Sequence, residues 1–319
     1  MFEEIRVGNK SDNKLYKEIN LALVNLQLEP QDFVNSMTGQ PFSNQKKTDA
    51  VTSVLNAIRQ YGRRGKTGEK PIDLVILPEV ALPQLWVRDL CEWVTRNDIG
   101  IVSGLEHHLY QGNALNETIV ILPFKDELGR VHCLPKRRLK KHYSPAETQE
   151  IEGYYLTVPR NELRSRYQLV HWRGCTFAVY NCYELASIED RSLFKGKLDL
   201  LIATELNRDT NYFSNIIESA ARDLHCYLVQ VNDSKFGDSR VVRPSKTETM
   251  TPLQITGGEN TTFLTMSLNL EELRKFQRRT HDIQMKYIQM GKVDFKLTPP
   301  EFMYQDVLDR IKNKFPVDA

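Results

Sequence analysis

The chain has 319 residues, of which 40% are hydrophobic, enough for a sizeable core. Its 43 basic and 41 acidic side chains leave a formal net charge of +2, so the overall charge provides no attraction to nucleic acid or to an anionic membrane surface. No apolar run approaches the roughly 18 residues of a transmembrane helix, so we expect no membrane-spanning helix.

From Leu21 onward, predicted strands and helices alternate along the chain. The first half contains predicted strands at 21–28, 74–79, 99–105, 117–124 and 130–134, and predicted helices at 48–62 and 83–97. The second half contains a hairpin of 167–172 and 175–182, strands at 198–206, 226–233 and 262–270, and helices at 214–226 and 269–279. This mixture of β-α-β and hairpin units predicts two sheets that pack face to face, with helices on their outer faces.

We expect a core domain at 21–277, preceded by an N-terminal extension or linker stub at 1–20 and followed by a C-terminal helix and arm at 278–319. The stretch 30–48 is interpreted as a further addition outside the core. The polar, acidic N-terminus has no apolar segment typical of a secretory signal. The cysteines are odd in number and scattered without CxxC pairs, which is typical of a reducing compartment, and we expect a cytoplasmic protein.

Cys182 is the strongest single candidate for a functional residue. It follows the apolar segment CTFAVYN and precedes Tyr183-Glu184, so the thiol would lie at the turn out of a central strand. Nucleophiles of hydrolases occupy the same kind of strand-to-turn position. The alternative is a buried structural cysteine, the commonest fate of a free thiol, and Cys91 and Cys226 fit that alternative well.

Glu79 closes the apolar segment LVILPE directly after Pro78. A carboxylate in that position is either paired or has a raised pKa, because burying an unpaired charge is costly. A raised pKa suits a general base that takes a proton from a thiol and later from a water. The alternative is a glutamate that simply emerges into solvent at the end of a strand.

Lys140 lies in the basic run CLPKRRLKKH. One ammonium held near the thiol would stabilise both a thiolate and a tetrahedral oxyanion, whereas the ordinary alternative is a charged, solvated edge strand. Glu147 would orient the lysine, act as a second carboxylate, or lie exposed in a loop. A thiol, a base and a fixed cation at strand ends are the groups needed for acyl transfer through a thioester.

Together these residues resemble the nitrilase superfamily of carbon–nitrogen hydrolases, over about 21–277. The resemblance depends on LVILPE for the glutamate motif, KKHYSPAE for the lysine motif and YNCYEL for the cysteine motif. IVSGLE, Asn116 and the stretches AARDLHCYLVQVND and GDSRVVRP are supporting matches. Three motifs in this order, with intervening segments of suitable length, form a specific signal.

The resemblance implies an α/β four-layer αββα sandwich that forms homodimers or larger homo-oligomers, without cofactor or metal. It implies that Glu79 is the general base, Lys140 the stabilising cation, Cys182 the nucleophile and Glu147 a supporting glutamate. We expect the backbone N–H of Tyr183 to help hold the oxyanion. The implied activity is hydrolysis of a small-molecule amide or nitrile, and amidase, nitrilase and carbamoylase activities stay open because all three use the same residues.

The sequence also departs from the family pattern. Members often carry an aromatic residue shortly before the lysine, whereas the segment 135–141 is unusually basic, so Lys136 and Lys141 stay open as alternatives to Lys140. Divergent domains of this type occur fused to bacterial reverse transcriptases in phage-defence systems. The segment 1–20 would then be the stub of such a linker.

Two other functions compete with hydrolysis. The first is an assembly or partner-binding module that keeps the fold without the chemistry. The second is nucleic-acid binding through Arg63-Arg64, the basic run 136–141 and Arg278-Arg279, which we do not expect as the main function because the run lacks interleaved aromatic residues. The adjacent His107 and His108 would point to opposite faces of a strand without an evident third ligand, so no metal site is predicted.

Overall fold

The computed structural model describes residues 2–8, 16–40, 45–63, 70–160 and 164–312. Its strands are β1 Glu3–Val7, β2 Glu18–Asn25, β3 Leu74–Ile76, β4 Gly100–Tyr110, β5 Asn113–Lys125, β6 Val131–Leu139, β7 Gln168–Trp172, β8 Cys175–Asn181, β9 Leu200–Glu205, β10 Tyr227–Asn232, β11 Ser239–Val242, β12 Leu253–Ile255 and β13 Thr262–Asn269. Its α-helices are α1 Pro30–Met37, α2 Gln45–Arg63, α3 Val87–Asn97, α4 Pro145–Gly153, α5 Ile188–Ser192, α6 Thr210–Leu224, α7 Leu270–Gln277, α8 His281–Gln289 and α9 Tyr304–Lys312.

The strands form two mixed sheets. Sheet A has seven strands in the order β1-β7-β8-β9-β10-β11-β12, and sheet B has six in the order β13-β2-β3-β4-β5-β6. The predicted hairpin of β7 and β8 is confirmed as an antiparallel pair. Its turn residues Arg173 and Gly174 both have positive φ, 47° and 75°, the backbone that a tight two-residue hairpin requires.

The two sheets face each other across the main core, and helices cover their outer faces. In β9, Leu200 and Ile202 point into the core between the sheets, while Leu201 and Ala203 point toward α6. This alternation follows from the two-residue period of a strand. Buried side chains of α2 and α3 cover the outer face of sheet B in the same way. The predicted four-layer αββα sandwich is therefore confirmed.

The parallel strands of each sheet bring chemically important residues to one end of the sandwich. In sheet B, β3 runs parallel to β2 and β4, and in sheet A, β9 runs parallel to β8 and β10. The backbone N–H of Glu79, just after β3, donates to the carbonyl of Glu205 at the end of β9 at 3.4 Å. This bond joins the two sheets at the end where these strands finish. Cys182, which directly follows β8, lies at the same end.

Segments at both ends of the described chain pack onto the sandwich. Within the predicted extension 1–20, β1 pairs in parallel with β7, and β2 begins at Glu18. In α9, Arg310 is buried, with its Nε 3.3 Å from Asp199 beside the start of β9. The division into extension, core domain and arm stays a prediction.

Strand β6 and the stretch 30–48 differ from their predicted structure. Strand β6 continues to Leu139, because its residues pair with β5 up to Glu117, so Lys140 lies one residue past a strand end. The stretch 30–48 contains α1 and the beginning of α2. No helix in the described parts of the chain is long and apolar enough to cross a membrane.

Candidate active site

Glu79 is buried at the end of sheet B by a close approach of two strands. A Cβ atom on Gly104 in β4 would lie 2.5 Å from the Cα of Glu79, so only glycine fits there. The carboxylate accepts three hydrogen bonds: to Oε1 from Lys140 Nζ and Asn116 Nδ2, each at 2.8 Å, and to Oε2 from the backbone N–H of Leu206 at 3.1 Å. Its orientation is therefore fixed by residues of both sheets.

Lys140 lies between two carboxylates. Its Nζ donates to Glu79 at 2.8 Å and to Glu147 Oε2 at 2.6 Å, and its side chain is 1% exposed. Its backbone N–H donates to the carbonyl of Asn116 at 2.8 Å, which fixes the segment just after β6. Ser144 caps α4 by accepting from the backbone N–H of Glu147 at 3.1 Å, and this cap helps hold the second carboxylate in place.

The two alternative lysines lie elsewhere. Lys136 Nζ is 3.6 Å from Glu3 and partly exposed. Lys141 Nζ binds Asp190 at 2.7 Å, and its side chain is 40% exposed. Of the three lysines, Lys140 is the one that the structure brings to Glu79 and Glu147.

Asn116 links all parts of this cluster. Its Nδ2 donates to Glu79 Oε1 and to Glu147 Oε1, each at 2.8 Å, and its Oδ1 accepts from Asn181 Nδ2 at 3.0 Å. Asn181 directly precedes Cys182. One amide on β5 therefore connects both carboxylates to the strand that carries the thiol.

The pKa values in this cluster move in directions that separate the two carboxyl groups. Burial raises the pKa of Glu79, and the nearby charge of Lys140 opposes that effect. Burial also acts to raise the pKa of Glu147, but Lys140 and His107 overcome it and lower that pKa to about 2. The pKa of Lys140 is raised because the two carboxylates outweigh its burial. The ammonium is therefore held charged by an ionised Glu147, while Glu79 is the carboxyl group better suited to accept a proton.

Cys182 adopts a strained backbone conformation at the end of β8. Its φ is +48°, a left-handed value that non-glycine residues rarely adopt and that often occurs at functional sites. It begins the short 3₁₀ helix Cys182–Ala186, in whose first turn Tyr183 has a backbone N–H without a partner inside the helix. Burial and the charge of Glu79 raise the pKa of the thiol, while Lys140 lowers it. The raised pKa keeps the thiol protonated.

A buried ion pair holds the thiol-bearing turn against the lysine-bearing segment. Arg138 donates to both carboxylate oxygens of Glu184 at 2.6 and 2.5 Å, and both side chains are at most 2% exposed. Glu184 also accepts from the backbone N–H groups of Lys141 at 2.6 Å and Asn181 at 2.7 Å. Each of these two residues is the immediate neighbour of a candidate catalytic residue. Arg138 thus occupies the basic stretch that departs from the family pattern.

A cavity of about 390 Å³ opens onto this cluster. Glu79, Lys140, Glu147, Cys182 and Tyr183 all contribute to its lining. The structure therefore brings together all five residues that the sequence singled out, around one cavity.

Comparisons with known proteins were made by sequence and by structure. No protein-family model matches the sequence, and no curated protein matches it. Among solved structures, Saccharomyces cerevisiae Nit3, a member of branch 10 of the nitrilase superfamily, is 17% identical with a TM-score of 0.56, covering 85% of this chain and 96% of Nit3. A mutant of the amidase from Nesterenkonia sp. AN1, with the acetamide moiety of fluoroacetamide on its active-site cysteine, is 16% identical with a TM-score of 0.54, covering 84% and 96%.

The protein XC1258 from Xanthomonas campestris, a CN-hydrolase superfamily protein, is 14% identical with a TM-score of 0.55. That match covers 88% of this chain and 99% of XC1258. The chain has the nitrilase fold. At these low sequence identities, the structural similarity shows the fold alone.

On this nitrilase fold, His107 lies beside Glu147, a position for which the sequence offered only the possibility of a metal ligand. It is buried in β4, its Nδ1 is 2.8 Å from the hydroxyl of Ser36 in α1, and its Nε2 is 3.9 Å from Glu147 Oε1. His108 next to it is exposed, so the two rings point to opposite faces as expected. Its partner Ser36 lies within the stretch 30–48, which was predicted to be an addition outside the core.

Glu205 is a further buried carboxyl group at this end of the nitrilase fold. It ends β9, is fully buried, and accepts from Gln230 Nε2 at 3.0 Å. Burial raises its pKa from 4.5 to about 8, so the carboxyl group is mostly protonated at pH 7. From sequence, Glu205 is one of three candidate pocket residues near the end of this strand, with Thr204 and Asn207, and local patterns do not rank them, because a glutamate at the end of an apolar strand is also typical of an exposed strand end.

Replacing Glu205 with glutamine is expected to flatten the dependence of stability on pH. The pKa of the folded state is raised, so the stabilising contribution is complete below about 4.5 and is lost as the pH rises through about 8. In the wild-type protein this loss amounts to up to roughly 5 kcal/mol, whereas the neutral amide does not titrate. Urea unfolding at pH 6 and pH 9 measures the part of this loss that falls between those two pH values, about 3 kcal/mol. The exposed Glu248→Gln variant is the control, and identical pH slopes for wild type and Glu205→Gln would contradict the expectation.

Proposed function

We propose that this protein is a divergent member of the nitrilase superfamily and hydrolyses a non-peptide carbon–nitrogen bond of an amide or nitrile through a thioester on Cys182. The observation that supports this most is the position of Lys140. Its ammonium binds both Glu79 and Glu147 on the wall of the cavity that also exposes Cys182. Burying a lysine and two carboxylates costs free energy, and that cost is readily understood where the charges serve a reaction.

In the proposed first half-reaction, an amide enters the cavity and Glu79 takes the proton of the Cys182 thiol. The thiolate attacks the carbonyl carbon, and negative charge develops on the carbonyl oxygen. Lys140 and the backbone N–H of Tyr183 stabilise this oxyanion. When the carbon–nitrogen bond breaks, Glu79 returns the proton to the leaving nitrogen, and the acyl group stays on sulfur as a thioester.

In the second half-reaction, Glu79 takes a proton from a water that attacks the thioester carbon. The tetrahedral intermediate collapses, the carbon–sulfur bond breaks, and the thiol regains its proton from Glu79. Glu147 stays ionised throughout, which keeps Lys140 charged and in place. The opposite pKa shifts of the two glutamates support this division of roles, since one carboxyl group must exchange protons and the other must not.

Intact-mass spectrometry after incubation with a panel of amides and nitriles tests the proposal. Acid quenching should trap an adduct whose mass gain equals the acyl group less one hydrogen. We expect Cys182→Ala to lack this adduct and to lose turnover by at least about 10⁴-fold, because the nucleophile is gone. Cys91→Ala, which removes a half-buried thiol on α3, is the matched control and should keep both. Turnover or an adduct that persists in Cys182→Ala would refute the proposal.

A further inference from the structure

The cavity at Cys182 is much larger than a carboxamide group needs. Its volume is about 390 Å³, whereas an engineered cavity of about 150 Å³ is large enough to bind benzene. An acetamide-sized substrate would leave most of this space without contacts. The cavity has room for an aromatic ring and a short linker in addition to the reacting group.

Apolar side chains from four separate elements form the wall around this space. They are Phe33 and Val34 of α1, Leu206 after β9, Phe213 of α6 and Phe236 after β10. Phe213 is 4% exposed, so it belongs to the packed interior as well as to the cavity. Contact with such a wall favours apolar ligand groups, because their burial removes apolar surface from water.

Helix α1, which covers one side of the cavity, is held firmly in place. Its Met37 is completely buried against Ala114 and Ile151. The ring of Phe33 meets the ring of His107 edge-on, with centroids 5.2 Å apart. The apolar wall is therefore a built part of the site.

The charges at the mouth of the cavity do not favour an anionic substrate. Arg208 and Lys235 lie there over the ring of Phe236, with their charged groups 5.7 and 6.0 Å from its centroid. Three acidic residues, Glu29, Glu150 and Asp209, line the same cavity. Because these acids outnumber the two cations, the mouth has no excess positive charge to hold a substrate carboxylate.

From these observations we infer that the substrate is a neutral amide or nitrile with a bulky, apolar acyl group of arylalkyl or branched-alkyl type. Phe33 and Val34 are the residues that select it. This inference rests on the proposed function, because it places the acyl group of the thioester in the apolar part of the cavity. It adds the substrate class, which the candidate catalytic residues by themselves leave open.

The test compares kcat/KM for acetamide, hydrocinnamamide and the anionic succinamate. We expect hydrocinnamamide to exceed both others by at least about 10²-fold, since each methylene that fits an apolar pocket contributes about 10-fold or more. Val34→Phe, which fills part of the cavity, should lower the ratio of hydrocinnamamide to acetamide turnover by about 10-fold or more. Gln31→Ala, on the exposed face of the same helix, should leave the ratio unchanged.

Phe33→Leu is the second variant in case Val34→Phe does not fold, and it should shift the preference toward longer acyl groups. Equal kcat/KM for acetamide and hydrocinnamamide, a preference for succinamate, or an equal loss on both neutral amides in Val34→Phe would overturn the inference.

Calorimetric binding to Cys182→Ala separates this inference from the proposed function. Tighter binding of hydrocinnamamide than of acetamide, with no turnover by the wild-type protein, would reject hydrolysis and keep the selectivity of the cavity. Turnover without size preference would keep hydrolysis and reject the substrate class.

Discussion

Replacing Lys140 with methionine is expected to lower kcat/KM by at least about 10³-fold. Methionine fills similar space but removes the cation that stabilises the oxyanion, and loss of one such donor alone costs about 10²–10³-fold. It also leaves Glu79 and Glu147 buried without the cation that they share, so one of them takes up a proton and the separation of their roles is lost. Steady-state kinetics on a substrate found by mass spectrometry measures the effect.

Matched controls come from the same basic run. Lys136→Met and Lys141→Met should each stay within a few-fold of the wild-type rate, because their ammonium groups bind Glu3 and Asp190 instead. A loss in Lys141→Met as large as that in Lys140→Met would contradict the assignment of the stabilising cation to Lys140. The double variant Lys140→Met/Glu147→Gln separates stability from chemistry. Because it removes one of the two buried carboxylates left without the cation, it should be more thermally stable than Lys140→Met and should stay equally inactive.

Replacing Arg138 with methionine is expected to destabilise the protein by about 3–5 kcal/mol, because removing one partner leaves the other charge buried and unpaired. Glu184 would keep only its bonds from the backbone N–H groups of Lys141 and Asn181. Those two bonds join the lysine segment to the turn of Cys182. The substitution removes the further side-chain bonds of Arg138 to Glu184 and to the carbonyl of Val179, which tie β6 to the strand and turn that carry Cys182. We therefore expect activity to fall as well, at temperatures where the variant is still folded.

A double-mutant cycle distinguishes the ion pair from simple packing. Arg138→Met/Glu184→Gln should be clearly less destabilised than the sum of the single variants, because the double variant leaves no unpaired charge. Arg137→Met is the control, since that neighbour is 39% exposed and its ion pair with Glu117 should contribute at most about 1 kcal/mol. Additive losses in urea unfolding would show that the buried pair contributes no coupling.

The sandwich could be predicted from sequence because its signals are local. The apolar segments before Glu79 and Cys182 are short and bounded by proline or polar residues, so strands β3 and β8 could be recognised directly. The hairpin at Arg173-Gly174 was recognised in the same way. The position of α1 beside the cavity could not be predicted, because 30–48 contains polar and proline residues and the contacts of α1 are with β4 and α4, far away in sequence.

The sequence by itself determined the types of the candidate catalytic residues, their order and their positions at strand ends. The tertiary structure decided which lysine meets the carboxylates, since Lys136, Lys140 and Lys141 share one basic run and local patterns do not separate them. It also assigned positions to Asn116, Arg138 and Glu205, whose contacts join residues of both sheets. The physical reason is that hydrogen bonds such as Glu79–Lys140, 61 residues apart, depend on how the strands of sheet B are ordered and packed. Strand periodicity acts only over neighbouring residues and holds no information about that packing.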